Sequence, residues 1–232
     1  MFRVTGPPQD IPFRMTMKRT FAIGDIHGCL DQLEDLVHRI EPRKDDLLVF
    51  LGDYIDRGPR IAEVIDFLID LTSEVPCVFL RGNHEDMFLE FLEFGTNKTL
   101  YFANGGRKTV ESYLGSEPFI SHTQVAHALS QSHRAFYAGL RWYYEDAHYI
   151  YVHAGVQPGV PMFRQDHRDL VWIRDDFIFS PTGLNKKVIF AHTPFARPFV
   201  KEDKIGVDTG GVYGGVLTAV QLPEEIFIQS HR

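Results

Sequence analysis

Apolar and polar residues follow one pattern three times in the first half of the chain. Each repeat opens with a short run of β-branched or aromatic residues, continues with a polar loop that contains glycine, and closes with apolar residues three or four positions apart. The opening run predicts a buried strand and the closing segment an amphipathic helix, as in a βαβ unit. The predicted strands are residues 20–23, 47–51 and 77–80, and the predicted helices are residues 30–40, 61–71 and 85–94.

The pattern changes after the third repeat. Residues 95–140 are helical in pattern but less regular, with glycines as breakers, and predict a helical insert. Strands dominate from residue 141 and are predicted at 142–145, 148–152, 188–191, 204–207, 216–222 and 226–229. Short turns at 145–148 and 222–226 predict antiparallel hairpins. A parallel first half and an antiparallel second half predict an α/β fold, a layered sandwich of mixed β-sheets flanked by helices.

Length and composition predict one domain. The chain has 232 residues, 44% of them hydrophobic, which is enough for one substantial core, and we expect a single domain over residues 19–232. Residues 1–18 contain no apolar run long enough for a signal peptide and are expected to form a flexible N-terminal arm. No segment approaches the roughly 20 apolar residues that span a bilayer, so no membrane partner is expected.

Charge and cysteine content narrow the class of protein further. The 24 basic and 31 acidic residues give a formal charge of −7, which argues against a dedicated nucleic-acid binder. Two cysteines are too few for a disulfide framework. We therefore expect reduced thiols and a cytoplasmic protein.

The loops after the predicted strands carry the candidate chemistry. The first three read GDIHG at 24–28, GDYIDRG at 52–58 and RGNHE at 81–85, and two later strands end in HAG and AHT. Because ligands gather at the carboxyl ends of strands in open α/β sheets, we expect these loops to converge. Together they offer six possible ligands: Asp25, His27, Asp53, Asn83, His153 and His192.

These ligand types predict a pair of metal ions. Carboxylate, amide and imidazole groups without a thiolate suit hard or borderline divalent ions such as manganese, iron and zinc. Six side chains exceed the needs of one ion and predict two ions, about 3.5–4 Å apart, that share a bridging carboxylate. A single aspartate here would more often cap a helix, and a single histidine would more often pack in the core. Their coincidence in five loops favours metal binding.

The ordered set GDIHG, GDYIDRG, LRGNHE, HAG and AHT resembles the phosphoprotein phosphatase branch of the calcineurin-like metallophosphoesterases over about residues 20–222. The resemblance implies that Asp25 and His27 hold one metal and that Asp53 bridges the two. It assigns the second metal to Asn83, His153 and His192. Manganese is the ion expected first, with iron or zinc as alternatives.

The same resemblance assigns the remaining roles. Arg57, Arg174 and Asn83 would bind the substrate phosphate, and His84 would be the proton donor, oriented by Asp56. A planar guanidinium matches two phosphate oxygens at once, and a histidine beside a carboxylate can carry a proton near neutral pH.

Both arginines have a structural alternative. Arg57 could pair with Asp53 or Asp56 as a structural ion pair, and the two aspartates that follow Arg174 could neutralise it on a solvated loop. The aromatic-rich stretch at 134–146 is expected mainly to pack in the core. A few of its rings could instead stand beside the metals and stack on a nucleobase or a substrate tyrosine.

Two reactions fit these motifs. The leading hypothesis is a serine/threonine or dual-specificity protein phosphatase in which a metal-bridging hydroxide attacks the phosphoester of a phosphorylated protein or a small phosphoester. Asp56 and Glu85 favour it, because the tetraphosphatases tend to vary at these positions. The short chain and the DTG motif at 208–210 resemble small bacterial and phage members, and bacterial diadenosine tetraphosphatases share much of this layout. The alternative is therefore a dinucleoside polyphosphate hydrolase. A binding protein with a degenerate site would lack a ligand or the acid, and this chain lacks neither.

Overall fold

The computed structural model describes residues 19–116 and 120–231, so the arm predicted for residues 1–18 lies outside the described residues. The strands are β1 (Thr20–Ile23), β2 (Leu47–Phe50), β3 (Cys77–Phe79), β4 (Tyr143–Glu145), β5 (Tyr149–Val152), β6 (Lys187–Phe190), β7 (Phe199–Val200), β8 (Lys204–Gly206), β9 (Thr218–Leu222) and β10 (Ile226–Gln229). The helices are α1 (Leu30–Ile40), α2 (Ile61–Leu71), α3 (Asn83–Phe94), α4 (Lys98–Tyr101), α5 (Arg107–Leu114), α6 (His122–Ala128), α7 (Gln131–Ala138), α8 (His167–Trp172) and α9 (Asp175–Phe179). Every predicted strand, and each of the three helices predicted in the first half, is present with bounds shifted by at most two residues.

The strands form two five-stranded sheets. The first has the order β10-β9-β1-β2-β3, with β1, β2 and β3 parallel and β9 and β10 antiparallel to their neighbours. The second has the order β4-β5-β6-β8-β7. Both sheets are therefore mixed, as predicted for this fold class.

The two sheets pack face to face, and helices cover their outer sides. Because side chains alternate along a strand, Phe21 and Ile23 of β1 pack under the helices, while Ala22 points to the second sheet. Helices α1, α2 and α3 bury apolar residues against the first sheet, and α9 buries Phe177 against the second. The fold is thus a layered α/β sandwich, which confirms the predicted class.

The second half is less antiparallel than its pattern predicts. The two predicted hairpins are present as β4–β5 and β9–β10, but β5, β6 and β8 pair in parallel. The connection from β5 to β6 contains α8 and α9 and gives the length that a parallel crossover requires. These helices have six and five residues and β7 has two, too short to show a period in the sequence.

The segment between α3 and β4 is helical. It contains α4, a π-helical turn at Phe102–Gly106, α5, α6 and α7. Helices α5 and α7 pack on α2, and α4 and α6 pack on α3, so this segment lies beside the loops that follow β2 and β3. Among the described residues, no helix combines the length and apolar character needed to cross a membrane.

Candidate metal and phosphate site

The loops after β1, β2, β3 and β6 line one cleft of about 200 Å³, and the loop after β5 adjoins it through His153, which contacts Asn83 and His192. All of the predicted ligands are buried, with at most 7% of each residue exposed: Asp25, His27, Asp53, Asn83, His153 and His192. The predicted phosphate-binding and proton-donating side chains line the same cleft: Arg57, His84 and Arg174. The structure therefore brings together the residues that the motifs single out.

The backbone turns sharply at these loops. His27, Asp53, Arg57 and His192 have φ angles of 46°, 53°, 66° and 65°, in the left-handed region that residues other than glycine seldom adopt. Such strain persists only where the surrounding structure enforces it, and it concentrates at functional sites. Here it directs four polar side chains off the strand ends into the cleft.

One group of ligand atoms surrounds Nε2 of His153. The Nδ1–H of His153 donates to the carbonyl of Leu51 at 2.9 Å, which leaves a lone pair on Nε2. This atom lies 3.0 Å from Oδ1 of Asn83, 3.2 Å from Nδ1 of His192 and 3.5 Å from Oδ1 of Asp53. Burial lowers the pKa of His153 to about 3, so its protonation does not relieve these contacts. The lone pairs on Nε2 of His153, Oδ1 of Asn83 and the ionised carboxylate of Asp53 face one another, as they would around a cation.

A second group shares Asp53. The Nδ1–H of His27 donates to the carbonyl of Ile55 at 2.6 Å, and its Nε2 lies 3.4 Å from Oδ2 of Asp53. Asp25 enters the same cleft, where its Oδ1 accepts the backbone N–H of His192 at 3.2 Å. The two oxygens of Asp53 therefore face different ligand groups.

His84 is also close to this second group. Donor atoms of His27, Asp53 and His84 lie within 4.8 Å of one another, as do those of Asp53, His153 and His192. Nδ1 of His84 is already bonded to Asp56, however, and its Nε2 stays 3.9 Å from Oδ2 of Asp53. This geometry suits a group beside the metals better than a ligand.

The buried carboxylates of the cleft favour the binding of cations. Burial, followed by repulsion from Asp208 and Asp53, holds the pKa of Asp25 well above its usual range. Burial, followed by repulsion from Glu85, does the same to the pKa of Asp53. Burial also lowers the pKa of His27, so the imidazole stays neutral and supplies no positive charge. Divalent ions would stabilise these carboxylates in their charged form, and the donor set fits two of them.

His84 and Asp56 form a buried pair. Nδ1 of His84 lies 2.5 Å from Oδ2 of Asp56. Burial raises the pKa of Asp56 to about 7 and lowers the pKa of His84 well below its usual value. Both pKa shifts favour an uncharged Asp56 and an uncharged His84. One proton in the short bond between them gives a hydrogen bond without separating charge. The other oxygen of Asp56 accepts the hydroxyls of Tyr101, at 3.0 Å, and Thr109.

Glu85 ties two of the ligand loops together. Its Oε2 accepts the backbone N–H groups of Asp53 at 2.9 Å and Gly82 at 3.0 Å, and its Oε1 accepts that of Tyr54 at 2.8 Å. The backbone N–H of His84 in turn donates to Oδ1 of Asp53 at 3.1 Å. These bonds fix Asp53 relative to the start of α3.

Gly82→Ala should weaken metal binding by about 10- to 100-fold, the usual cost of disturbing the support of a metal ligand. A Cβ at this position would lie 2.1 Å from Oδ1 of Asp53 and 2.5 Å from its backbone nitrogen. The carboxylate must therefore move. Metal content after dialysis against graded metal concentrations measures the change. Gly139→Ala is the matched control, because its Cβ would come no closer than 3.3 Å to Ala135, and parental metal binding by Gly82→Ala would contradict the assignment.

The two arginines approach the cleft from different elements. Arg57 contacts Nε2 of His27 through Nη1, and its guanidinium carbon lies 5.4 Å from the ring centre of Tyr213. Nη1 of Arg174, just before α9, donates to Oγ1 of Thr193 at 3.3 Å. Among the described residues, these contacts are with a histidine, a tyrosine ring and a hydroxyl rather than with a carboxylate. Both guanidinium groups are thus available to an anion.

Two residues that shape the site carry no recognisable signal in the sequence. Tyr101 and Thr109 lie at the end of α4 and in α5, and no short motif marks either of them. Asp208 lies in the DTG motif, and its carboxyl group adjoins that of Asp25. The DTG motif predicts a structural role for Asp208 at the floor of the pocket, and Asp208 does line the cleft, whereas the hydroxyls that hold Asp56 could only be found in three dimensions.

Comparisons with known proteins agree on the family. A family profile described as calcineurin-like phosphoesterase matches residues 18–213. The asymmetrical bis(5'-nucleosyl)-tetraphosphatase PrpE of Oceanobacillus iheyensis is 27% identical over 230 residues, which cover 89% of each chain. A solved structure assigned as a diadenosine tetraphosphatase is 26% identical, with a TM-score of 0.66 and coverage of 93% of this chain and 94% of that one.

A serine/threonine phosphatase of Saccharomyces cerevisiae is similar in fold alone. It has a TM-score of 0.62 at 15% identity, with coverage of 93% of this chain and 80% of that one. The hypothesis of a protein phosphatase is therefore wrong, because the relatives that align over most of their length at higher identity are tetraphosphatases. The hypothesis rested on Asp56 and Glu85, but Asp56 bonds to Nδ1 of His84, Glu85 bonds to the backbone of Asp53, and neither side chain lines the cleft.

The family profile covers most of the chain, and the candidate metal-ligand loops lie within the matched residues. The ligand chemistry of the cleft agrees with a family that hydrolyses phosphoesters with divalent metal ions. The chain belongs to the calcineurin-like phosphoesterases, a family of metal-dependent hydrolases.

Proposed function

We propose that the protein is an asymmetrical dinucleoside tetraphosphatase, which cleaves a bis(5'-nucleosyl)-tetraphosphate to a nucleoside monophosphate and a nucleoside triphosphate. The observation that carries the proposal is the similarity to the tetraphosphatase of Oceanobacillus iheyensis over 89% of both chains. The family match at residues 18–213 spans the candidate ligand loops and the residues that line the cleft. A highly charged polyphosphate also suits a cleft with two arginines.

In this proposal Asp25 and His27 hold one divalent ion, and Asp53 is shared with a second. The second ion is held in addition by Asn83, His153 and His192. Two bound ions would supply an activated water and neutralise charge on the phosphate. Manganese is the ion we expect first, because carboxylate, amide and imidazole ligands suit it, and iron or zinc are the alternatives.

The protein's own side chains would orient the substrate. Arg57 and Arg174 lie on different elements, so they can hold two parts of a polyphosphate chain at once, and the amide of Asn83 adds a polar contact. Bidentate arginine–phosphate contacts give geometric specificity in addition to affinity. Orientation of the phosphate for in-line attack is their role.

His84 would donate the proton of its Nε2–H to the departing oxygen, and because a triphosphate leaves readily as an anion, this donation should matter less for a dinucleotide than for an ester with a more basic leaving oxygen. The Nδ1 of His84 is engaged by Asp56, which leaves Nε2 on the side of the cleft. Asp56 is a positioning residue: it fixes the ring, and Tyr101 and Thr109 fix its own carboxylate. In the net reaction the water oxygen bonds to phosphorus, the bond to the bridging oxygen breaks, and one water proton ends on the leaving group.

Initial rates on three substrates test the proposal. With manganese present, kcat/KM for diadenosine tetraphosphate should exceed that for a phosphoserine peptide and a phosphotyrosine peptide by about 10²-fold or more, as expected where binding groups select the substrate. The products should be AMP and ATP, separated by chromatography. Equal or faster turnover of either peptide would overturn the proposal.

A further inference from the structure

Tyr213 stands at the mouth of the metal cleft with 63% of its surface exposed. It ends a 3₁₀ turn, Gly211–Tyr213, which lies between two glycines with left-handed φ angles, Gly210 at 70° and Gly214 at 87°. Among the large apolar side chains that are exposed in the described part of the chain, it alone lines this cleft. A single exposed ring is common on protein surfaces, but this one lies at the mouth of a polar cleft beside Arg57, where it can contact a ligand.

The ring is placed next to a candidate phosphate-binding group. The guanidinium carbon of Arg57 lies over it, 5.4 Å from the ring centre. This contact orients the ring, and the large exposed fraction of Tyr213 leaves room for a second flat group. The aromatic-rich stretch at 134–146, in contrast, does not contribute to the lining of the cleft, and Phe136 and Tyr137 are buried in the core.

Resting on the proposed function, we propose that Tyr213 is the stacking site for the nucleobase attached to the attacked phosphate. A nucleotide carries its base one ribose away from its α-phosphate. A phosphate held by Arg57 therefore places the base within reach of the ring beside that arginine. Base–aromatic stacking depends on the π-face that every base has, so the site should accept adenine and guanine dinucleotides alike.

This placement fixes which bond breaks. The phosphorus nearest the stacked base receives the water oxygen, and its bond to the next bridging oxygen breaks. That oxygen leaves with the nucleoside triphosphate and carries one of the water protons. Hydrolysis is then asymmetrical, because the bond that breaks is the first phosphoanhydride bond counted from the stacked base.

The test compares diadenosine tetraphosphate with tripolyphosphate, a base-free phosphoanhydride. In Tyr213→Ala, the ratio of kcat/KM for the dinucleotide to kcat/KM for tripolyphosphate should fall by about 10- to 100-fold, the usual worth of one stacked base. Tyr213→Phe keeps the ring and should keep the parent's ratio. In isotopically labelled water, the parent should place the label in the monophosphate.

Phe163→Ala is the matched control. Phe163 is 80% exposed and has the guanidinium of Arg164 5.4 Å from its ring centre, but it does not line the cleft. An equal loss on both substrates in Tyr213→Ala, the same fall in Phe163→Ala, or label in the triphosphate would overturn the inference while the proposed function stands. Failure of the parent to hydrolyse the dinucleotide would overturn both.

Discussion

Asp53→Asn should lower kcat/KM for diadenosine tetraphosphate by about 10³-fold and remove both metal ions together. The reason is that the two proposed ions share this carboxylate, so its negative charge is lost to both. The two oxygens of Asp53 face different groups: Oδ2 lies 3.4 Å from Nε2 of His27, and Oδ1 lies 3.5 Å from Nε2 of His153. An amide replaces one of these oxygens with an N–H donor, which repels a cation. The loss of a negative charge weakens binding of the other ion as well.

Metal analysis after gel filtration measures this effect directly. The parent should bind two ions, lose activity on chelation and recover it with manganese, because ligand binding by a folded cluster is reversible. Asp46→Asn is the matched control: Asp46 is 2% exposed, but it pairs with Arg19 outside the cleft. Loss of one ion with the other intact would show that Asp53 is not the shared ligand.

The six candidate metal ligands were predictable because each lies in or at the end of a loop that follows a strand. The glycine–aspartate and histidine motifs after β1, β2, β3, β5 and β6 are short, local and ordered, so the chain alone places them at the ends of strands. The convergence of Asp25 with His192 then follows from the topology, although they are far apart in sequence. For these positions, the motifs in the sequence and the arrangement of the strands indicate the same site.

Other features depend on contacts that leave no local pattern. Thr109 donates a hydrogen bond to Asp56, which lies 53 residues away in the sequence, and no sequence motif indicates this contact. The parallel pairing of β5 with β6 depends on a crossover whose helices, α8 and α9, are too short to show periodicity, and the pairing of β6 with β8 depends on a connection that contains only the two-residue strand β7. The substrate class was also not predictable, because the contacts of Asp56 and Glu85 are with His84 and with the backbone of Asp53 and do not reach a substrate.

His84→Asn should slow hydrolysis in proportion to the basicity of the leaving oxygen, because a proton donor matters only when that oxygen departs poorly as an anion. Phenyl phosphate and p-nitrophenyl phosphate have similar shapes, but the nitro group makes the second leaving oxygen much less basic. We expect kcat for phenyl phosphate to fall by about 10²- to 10⁴-fold, the usual worth of positioned proton transfer. The loss on p-nitrophenyl phosphate should be far smaller.

The variants of the supporting residues separate donation from positioning. Asp56→Asn should show the same dependence on the leaving group in weaker form, because the 2.5 Å bond to Nδ1 orients His84 but does not itself reach the substrate. Thr109→Val, which removes the hydroxyl bonded to Asp56 while keeping the side-chain volume, should show a smaller loss of the same kind. Metal content should stay at the parental level in all three variants, so that reduced occupancy does not explain the rates. Equal losses on both aryl phosphates in His84→Asn would mean that His84 holds the phosphate or a metal ion, and its assignment as proton donor would be withdrawn.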